Sequence, residues 1–224
     1  MTAITVIAIL AAAATIYGFV AMDSCERVKV APKGKKKQYQ VQEVPETGIL
    51  FMVIMAVALI VRYIAAAKYF GNETDMNCFI AWGDMIFKDG IGNFYSSDSF
   101  TDYPPGYMYI LYVVGAIRAL FSWAWDSTAS IVLTKMPAII ADMVTGWLIY
   151  KIACKRMRET GAALVSALYL LCPMIILDSA VWGQTDSVFT VFMLLMCYLI
   201  SEKKLIPSYF VFAIGILIKP QSLF

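Results

Sequence analysis

Several ionisable residues stand where a chain this apolar would be expected to carry none. Asp75 follows shortly after an apolar run, and Asp102 precedes Tyr103 and a proline pair. Asp142 falls inside another run, and Asp178 and Asp186 flank "VWGQT", which holds Trp182 and Gln184. Lys135 sits one turn inside a run, and Lys219 lies deep in another, just before Pro220 and Gln221. Charges at membrane depth are costly, so such residues read first as functional. Their chemistry is proton transfer at the carboxylates and charge compensation at the lysines. The chain has no histidine, which removes Ser-His and Cys-His pairs and most zinc chemistry. Acid–base work falls to Asp, Glu, Lys, Tyr or Cys.

The elements that must position these groups are apolar helices. The 224 residues are 61% hydrophobic and 15% charged, more apolar than a soluble domain. Apolar runs cover 2–22, 48–67, 107–124, about 129–150, 161–177 and 187–200, and a last begins near Ile206. Several approach the roughly 18–20 residues of a bilayer crossing. The fold predicted is all-α, a polytopic transmembrane bundle. The net charge of +2 gives no reason to expect nucleic acid. The five cysteines form no CxxC pair and read as free thiols.

Charge clusters set the expected topology. Arg27, Lys29, Lys33 and Lys35–Lys37 place residues 23–47 in the cytoplasm. Residues 68–106 hold Lys68 and Lys88 against Glu73, Asp75, Asp84, Asp89, Asp98 and Asp102, and so face outside. Within that large first loop, "NCFIAWGDMIFKDG" has the spacing of a short interfacial helix. Asp84, Asp89 and Asp98 read as solvated acids, Arg118 as snorkelling or paired, and Asp142 as equally able to bond a neighbouring helix. A contradiction remains. Lys151, Lys155, Arg156 and Arg158 also want the cytoplasm, yet two apolar runs separate them from the outer loop. An odd number is needed, and Pro137 marks the fourth run as a candidate for a break. Asn72–Thr74 forms a glycosylation sequon without meaning in a bacterial chain. Because the chain stops inside an apolar run, a fragment is expected.

Five segments occur in order: "TDMNCFIAWGDMIFKDG", "DYPPGYMYIL", "KMPAIIADMVTGWLIY", "LDSAVWGQTDSVF" and "GILIKPQ". Together they resemble the N-terminal half of the GT-C superfamily of membrane glycosyltransferases, closest to bacterial relatives of the second GPI mannosyltransferase. The resemblance covers about 48–224, leaving 1–47 as an extra helix and basic cytoplasmic loop. It implies a polyprenyl-phosphate hexose donor, a glycan, lipid or protein acceptor, chemistry on the extracytoplasmic face of a bacterial cytoplasmic membrane, and Asp75 as catalytic base. Asp178 stands where relatives often have Asn. Paired acids at the base position are absent, so a divalent cation is not supported and no cofactor is expected.

Inverting sugar transfer needs a carboxylate to take the acceptor proton. It also needs donors or positive charge near the leaving phosphate. Lys219 and Gln184 are the candidates for the latter, and Lys135 a weaker one. Asp186 and Gln184 suit sugar hydroxyls, Trp182 a pyranose face, and Asp102 and Tyr103 the acceptor cleft; Gln221 belongs to the "KPQ" segment. Two other readings stay open: a transporter or flippase whose path is lined by Asp142, Lys135 and Lys219, and a non-catalytic subunit on the same scaffold.

Overall fold

The computed structural model describes residues 48–96 and 100–223, all helix, turn and loop with no strand among them. The first apolar run, the basic loop 23–47 and Asp98 lie outside the described residues. The chain folds as a helical membrane bundle.

Helix α1, Ile49–Lys68, and helix α5, Thr128–Cys154, are each long and apolar enough to cross a bilayer. They lie antiparallel. Phe51 stacks on Tyr150 at 4.0 Å, Arg62 Nε donates to Asp142 Oδ2 at 2.9 Å, and Lys135 Nζ donates to the Tyr69 carbonyl at 2.7 Å. Pro137 lies inside α5 and does not divide it. Helix α6, Glu159–Leu170, bends by 50° into the segment Pro173–Trp182. That segment is a short helix α7, Pro173–Ile176, followed by a π-helical turn, Leu177–Trp182. Pro173 has no N–H to continue the ladder of α6, which accounts for the break.

The contradiction in crossings is resolved in the third apolar run. Helix α2 is Glu73–Asp89, α3 is Ile91–Phe94 and α4 is Pro105–Leu120. Just before α4, Tyr103 bonds Gln184. Just after it, Trp125 Nε1 donates to Asn77 Oδ1 in α2, two residues from Asp75. Both flanks of α4 therefore approach the Asp75 end of α2, and of α4 and α5 only α5 is long and apolar enough to cross a bilayer. One face of α4 is apolar because it packs on α2. Tyr107, Met108 and Leu111 are buried with Phe79, Trp82 and Ile86 of α2. Gly83 and Gly115 let the backbones touch; a Cβ on Gly115 would stand 2.2 Å from the Gly83 carbonyl oxygen. Arg118 pairs with Asp84, so Asp84 is a partner rather than a solvated acid.

Helices α8, Asp186–Ser201, and α9, Leu205–Ile218, form a hairpin. At its far end Lys155 Nζ donates to Glu202 Oε1 at 2.6 Å, so α8 runs the same depth as α5. All the basic residues at 151–158 and 203–204 thus share the end away from Asp75. Two apolar clusters result. One joins α1, α5 and α6 around Phe51, Ile139 and Leu170; the other joins α2, α4, α8 and α9 around Phe79, Tyr107 and Val188. α5 supplies residues to both, Ile139 to the first and Ala141 to the second. Among the described residues Cys78, Cys154, Cys172 and Cys197 form no disulfide.

Candidate active site

Asp75 is placed by its own helix start. Asn72 has extended dihedrals, and its side chain accepts the Asp75 N–H at 3.1 Å, capping α2. The carboxylate then stands at the first turn, where the helix dipole favours negative charge. The second wall comes from the end of the π turn. Gly183 has φ 90°, a left-handed conformation that glycine adopts without penalty. Its N–H and that of Gln184 both donate to the Asp178 carbonyl at 3.0 Å. This reversal aims Trp182 and Gln184 back at α2. Trp182 Nε1 donates to Asp75 Oδ2 at 2.8 Å and Gln184 Nε2 donates to the same oxygen at 2.6 Å. No described hydrogen bond reaches Oδ1.

The two segments are also joined through backbone. The Asn72 N–H donates to the Trp182 carbonyl at 2.9 Å. A Cβ on Gly71 would lie 2.4 Å from that same oxygen, so only glycine permits the approach.

Gln184 relays the contact onward. Its Oε1 accepts from the Tyr103 hydroxyl at 3.3 Å, and Thr185 Oγ1 donates to that hydroxyl at 3.5 Å. The Tyr103 ring lies 5.8 Å from Lys219 Nζ, and Lys219 is paired with Asp186. Burial pushes the Tyr103 phenol above its ordinary range, against the lowering influence of Thr185 and Lys219, and Asp186 and Asp75 add to the rise. It therefore stays a proton donor to Gln184. Burial works against the Lys219 ammonium, but the bonded Asp186 carboxylate, with Tyr103 and Asp178 nearby, raises it above the usual lysine value. Trp182 keeps half of its surface open (51%).

Asp75, Tyr103, Trp182, Gln184, Asp186 and Lys219 are thus brought together from four segments of the chain. Asp102 lies exposed beside them; with Asp75, its charge reinforces the burial that raises the Cys78 thiol. Gln221 is exposed on the 3₁₀ turn Pro220–Leu223.

Two residues suggested by the sequence fall behind the site instead. Lys135 is fully buried, and its Nζ donates to three carbonyls: Tyr69 at 2.7 Å, Ala180 at 3.1 Å and Val181 at 3.0 Å. Its three protons are all used, which leaves none for a phosphate. Asp142 is also fully buried and serves as the partner of Arg62, Tyr169 and Ser179. Neither lines an open path.

The sequence gives no site role to Asn72 or Thr185, and nothing in it singles out Arg62. The Asn72 signal was present as a capping side chain three residues before Asp75, but it reads equally as a sequon. Asp178 reads from the sequence as a flank and as a departure from relatives that have Asn, yet its backbone carbonyl holds the turn. Among the described residues no group of three or more metal-ligating side chains occurs.

Comparison with known proteins adds one finding. A family model described as dolichyl-phosphate-mannose-protein mannosyltransferase matches residues 102–224. Tyr103, Trp182, Gln184, Asp186 and Lys219 lie inside the match, and Asp75 joins them through the hydrogen bonds above. No curated protein and no solved structure matches the chain. With more than half of its length covered, the chain belongs to the dolichyl-phosphate-mannose-protein mannosyltransferase family, membrane glycosyltransferases of the GT-C type.

Proposed function

We propose that the protein transfers a hexose, mannose by preference, from a polyprenyl-phosphate donor to an acceptor hydroxyl, with inversion at the anomeric carbon and Asp75 as base. The observation that carries this reading is the Asp75 carboxylate itself. Two donors from a segment more than 100 residues away converge on Oδ2, and none of the described residues bonds Oδ1. The held oxygen fixes the group's orientation; the other can take a proton.

In the step, the acceptor oxygen bonds the sugar C1 as its proton passes to Asp75. The C1–O bond to phosphate breaks, and the electron pair leaves with polyprenyl phosphate. Phosphate is a good leaving group, so a second carboxyl acid is unnecessary. Lys219, charged at neutral pH, offsets the developing negative charge, while Asp186 restrains its ammonium. The open face of Trp182 suits a pyranose ring, and Asp102 with Tyr103 borders the acceptor side. The likeness of the ordered motifs to relatives of the second GPI mannosyltransferase supports mannose as the sugar.

Charge distribution supports an extracytoplasmic site. Lys151, Lys155, Arg156, Arg158, Lys203 and Lys204 gather at the opposite end, the cytoplasmic one by the positive-inside rule. The direct test is Asp75→Asn in membranes holding the complete protein, supplied with a labelled polyprenyl-phosphate mannose. Labelled product is expected from the unaltered protein and none above background from the variant. Retained transfer at equal expression would remove Asp75 from the role.

A further inference from the structure

Lys135 makes no ion pair among the described residues, yet it is fully buried in helix α5. A buried ammonium without a carboxylate is costly, and its partners explain what it does there. Tyr69 is the cap residue at the end of α1, and Ala180 and Val181 are in the last turn of the π helix. All three accepting carbonyls therefore belong to helix C-termini, where carbonyls lack intrahelical partners and the dipole is negative. One cation satisfies both ends at once.

The chain beyond each of these ends carries the chemistry. After Tyr69 come Gly71, Asn72 and then Asp75; after Val181 come Trp182, Gly183 and Gln184. The stem of Lys135 also fills the space under the reversal, since a Cβ on Gly183 would lie 3.3 Å from Lys135 Cε. We propose that Lys135 is a positioning residue: by gathering the carbonyl ends of α1 and the π turn, it keeps Asp75 within hydrogen-bond reach of Trp182 and Gln184. It contacts neither sugar nor phosphate. This role rests on the reading of Asp75 as base for its effect on turnover, but its effect on backbone order does not.

The test uses the complete protein in detergent or nanodiscs, with Lys135→Met and, as a milder change that keeps a donor, Lys135→Gln. Amide hydrogen exchange reads the clamp directly. Exchange at Asn72, Gly183 and Gln184 is expected to rise at least about tenfold in Lys135→Met, with α8 and α9 unaltered. Turnover with polyprenyl-phosphate mannose is expected to fall roughly 10–100-fold, as misplacement of catalytic groups does, with KM for the donor little changed. Combining Lys135→Met with Gln184→Ala should lower turnover no more than about twofold beyond the worse single change, because both act on one contact.

Unaltered exchange at Asn72 would overturn the proposal. So would a raised KM with unchanged kcat, which would make Lys135 a contact for the donor phosphate. Failure of both variants to fold would also overturn it, by making the ammonium a requirement of the bundle rather than of the site. Full transfer by Asp75→Asn would refute the base while leaving the exchange result to decide Lys135.

Discussion

Asp142 and Asp75 are both held by hydrogen bonds from distant parts of the chain, but to different degrees. Asp142 has both oxygens engaged: Oδ1 accepts from Tyr169 at 3.1 Å, and Oδ2 from Arg62 at 2.9 Å and Ser179 at 2.6 Å. It is wholly buried and joins α1, α5, α6 and the π turn. Asp75 is half-buried and has one oxygen engaged. Side-chain type and proximity to the membrane do not separate them. What separates them is how much acceptor capacity the protein leaves unused. A saturated carboxylate holds helices together; a half-saturated one at the rim can act on a ligand.

The largest test of that contrast is at Asp75. Asp75→Asn should lower transfer by roughly 10²–10⁴-fold, the range for a positioned base, with no change in thermal unfolding. Asp142→Ala should instead act on the fold. It strands Arg62 in a dry interior and should cost about 3–5 kcal/mol, read as a lower midpoint in detergent. Pairing Arg62→Met with Asp142→Leu should recover most of that loss. If Asp142→Ala stayed folded but lost transfer, the contrast would break.

Smaller effects sharpen it. Trp182→Phe removes one donor from Asp75 Oδ2 and keeps the aromatic face, so transfer should drop by roughly 10–100-fold, the worth of one hydrogen bond to a charged group. For Lys219, the raised value means that its bound proton stabilises the fold fully below the ordinary lysine pKa, and that this is lost as pH rises through the folded value. A pH–rate profile should therefore show no decline from this group between about pH 6 and 9, well below the ordinary value of roughly 10.4. Lys219→Gln should weaken donor binding throughout that window. The smallest effect belongs to the exposed pair Lys155–Glu202 at the opposite end. Glu202→Gln should change neither unfolding nor transfer measurably.

Much of this was legible in the sequence, for physical reasons. α1 and α5 are long enough for hydropathy to find them, and Asp75, Trp182, Gln184, Asp186 and Lys219 stand out because each is polar beside an apolar run. What stayed hidden required partners. Arg62 and Asp142 lie in separate apolar runs, and nothing local says that they meet. α4 looks like a crossing because a window of residues cannot tell burial against α2 from burial in lipid. Lys135 looks like a phosphate ligand until three backbone carbonyls, invisible in any side-chain pattern, are found around it.

The six residues of the π turn have a further consequence. A wider turn places its last side chains at a different azimuth from the one an α-helix would give, and π turns recur at functional sites. Removing one residue from it, Ala180 for example, would swing everything downstream by about 100°. The indole and amide would then face lipid or the bundle interior instead of the carboxylate, although every side chain of the trio remained. Alignment at this rim is thus written as a count of peptide units, and a single-codon deletion could erase it while leaving the composition of the site untouched.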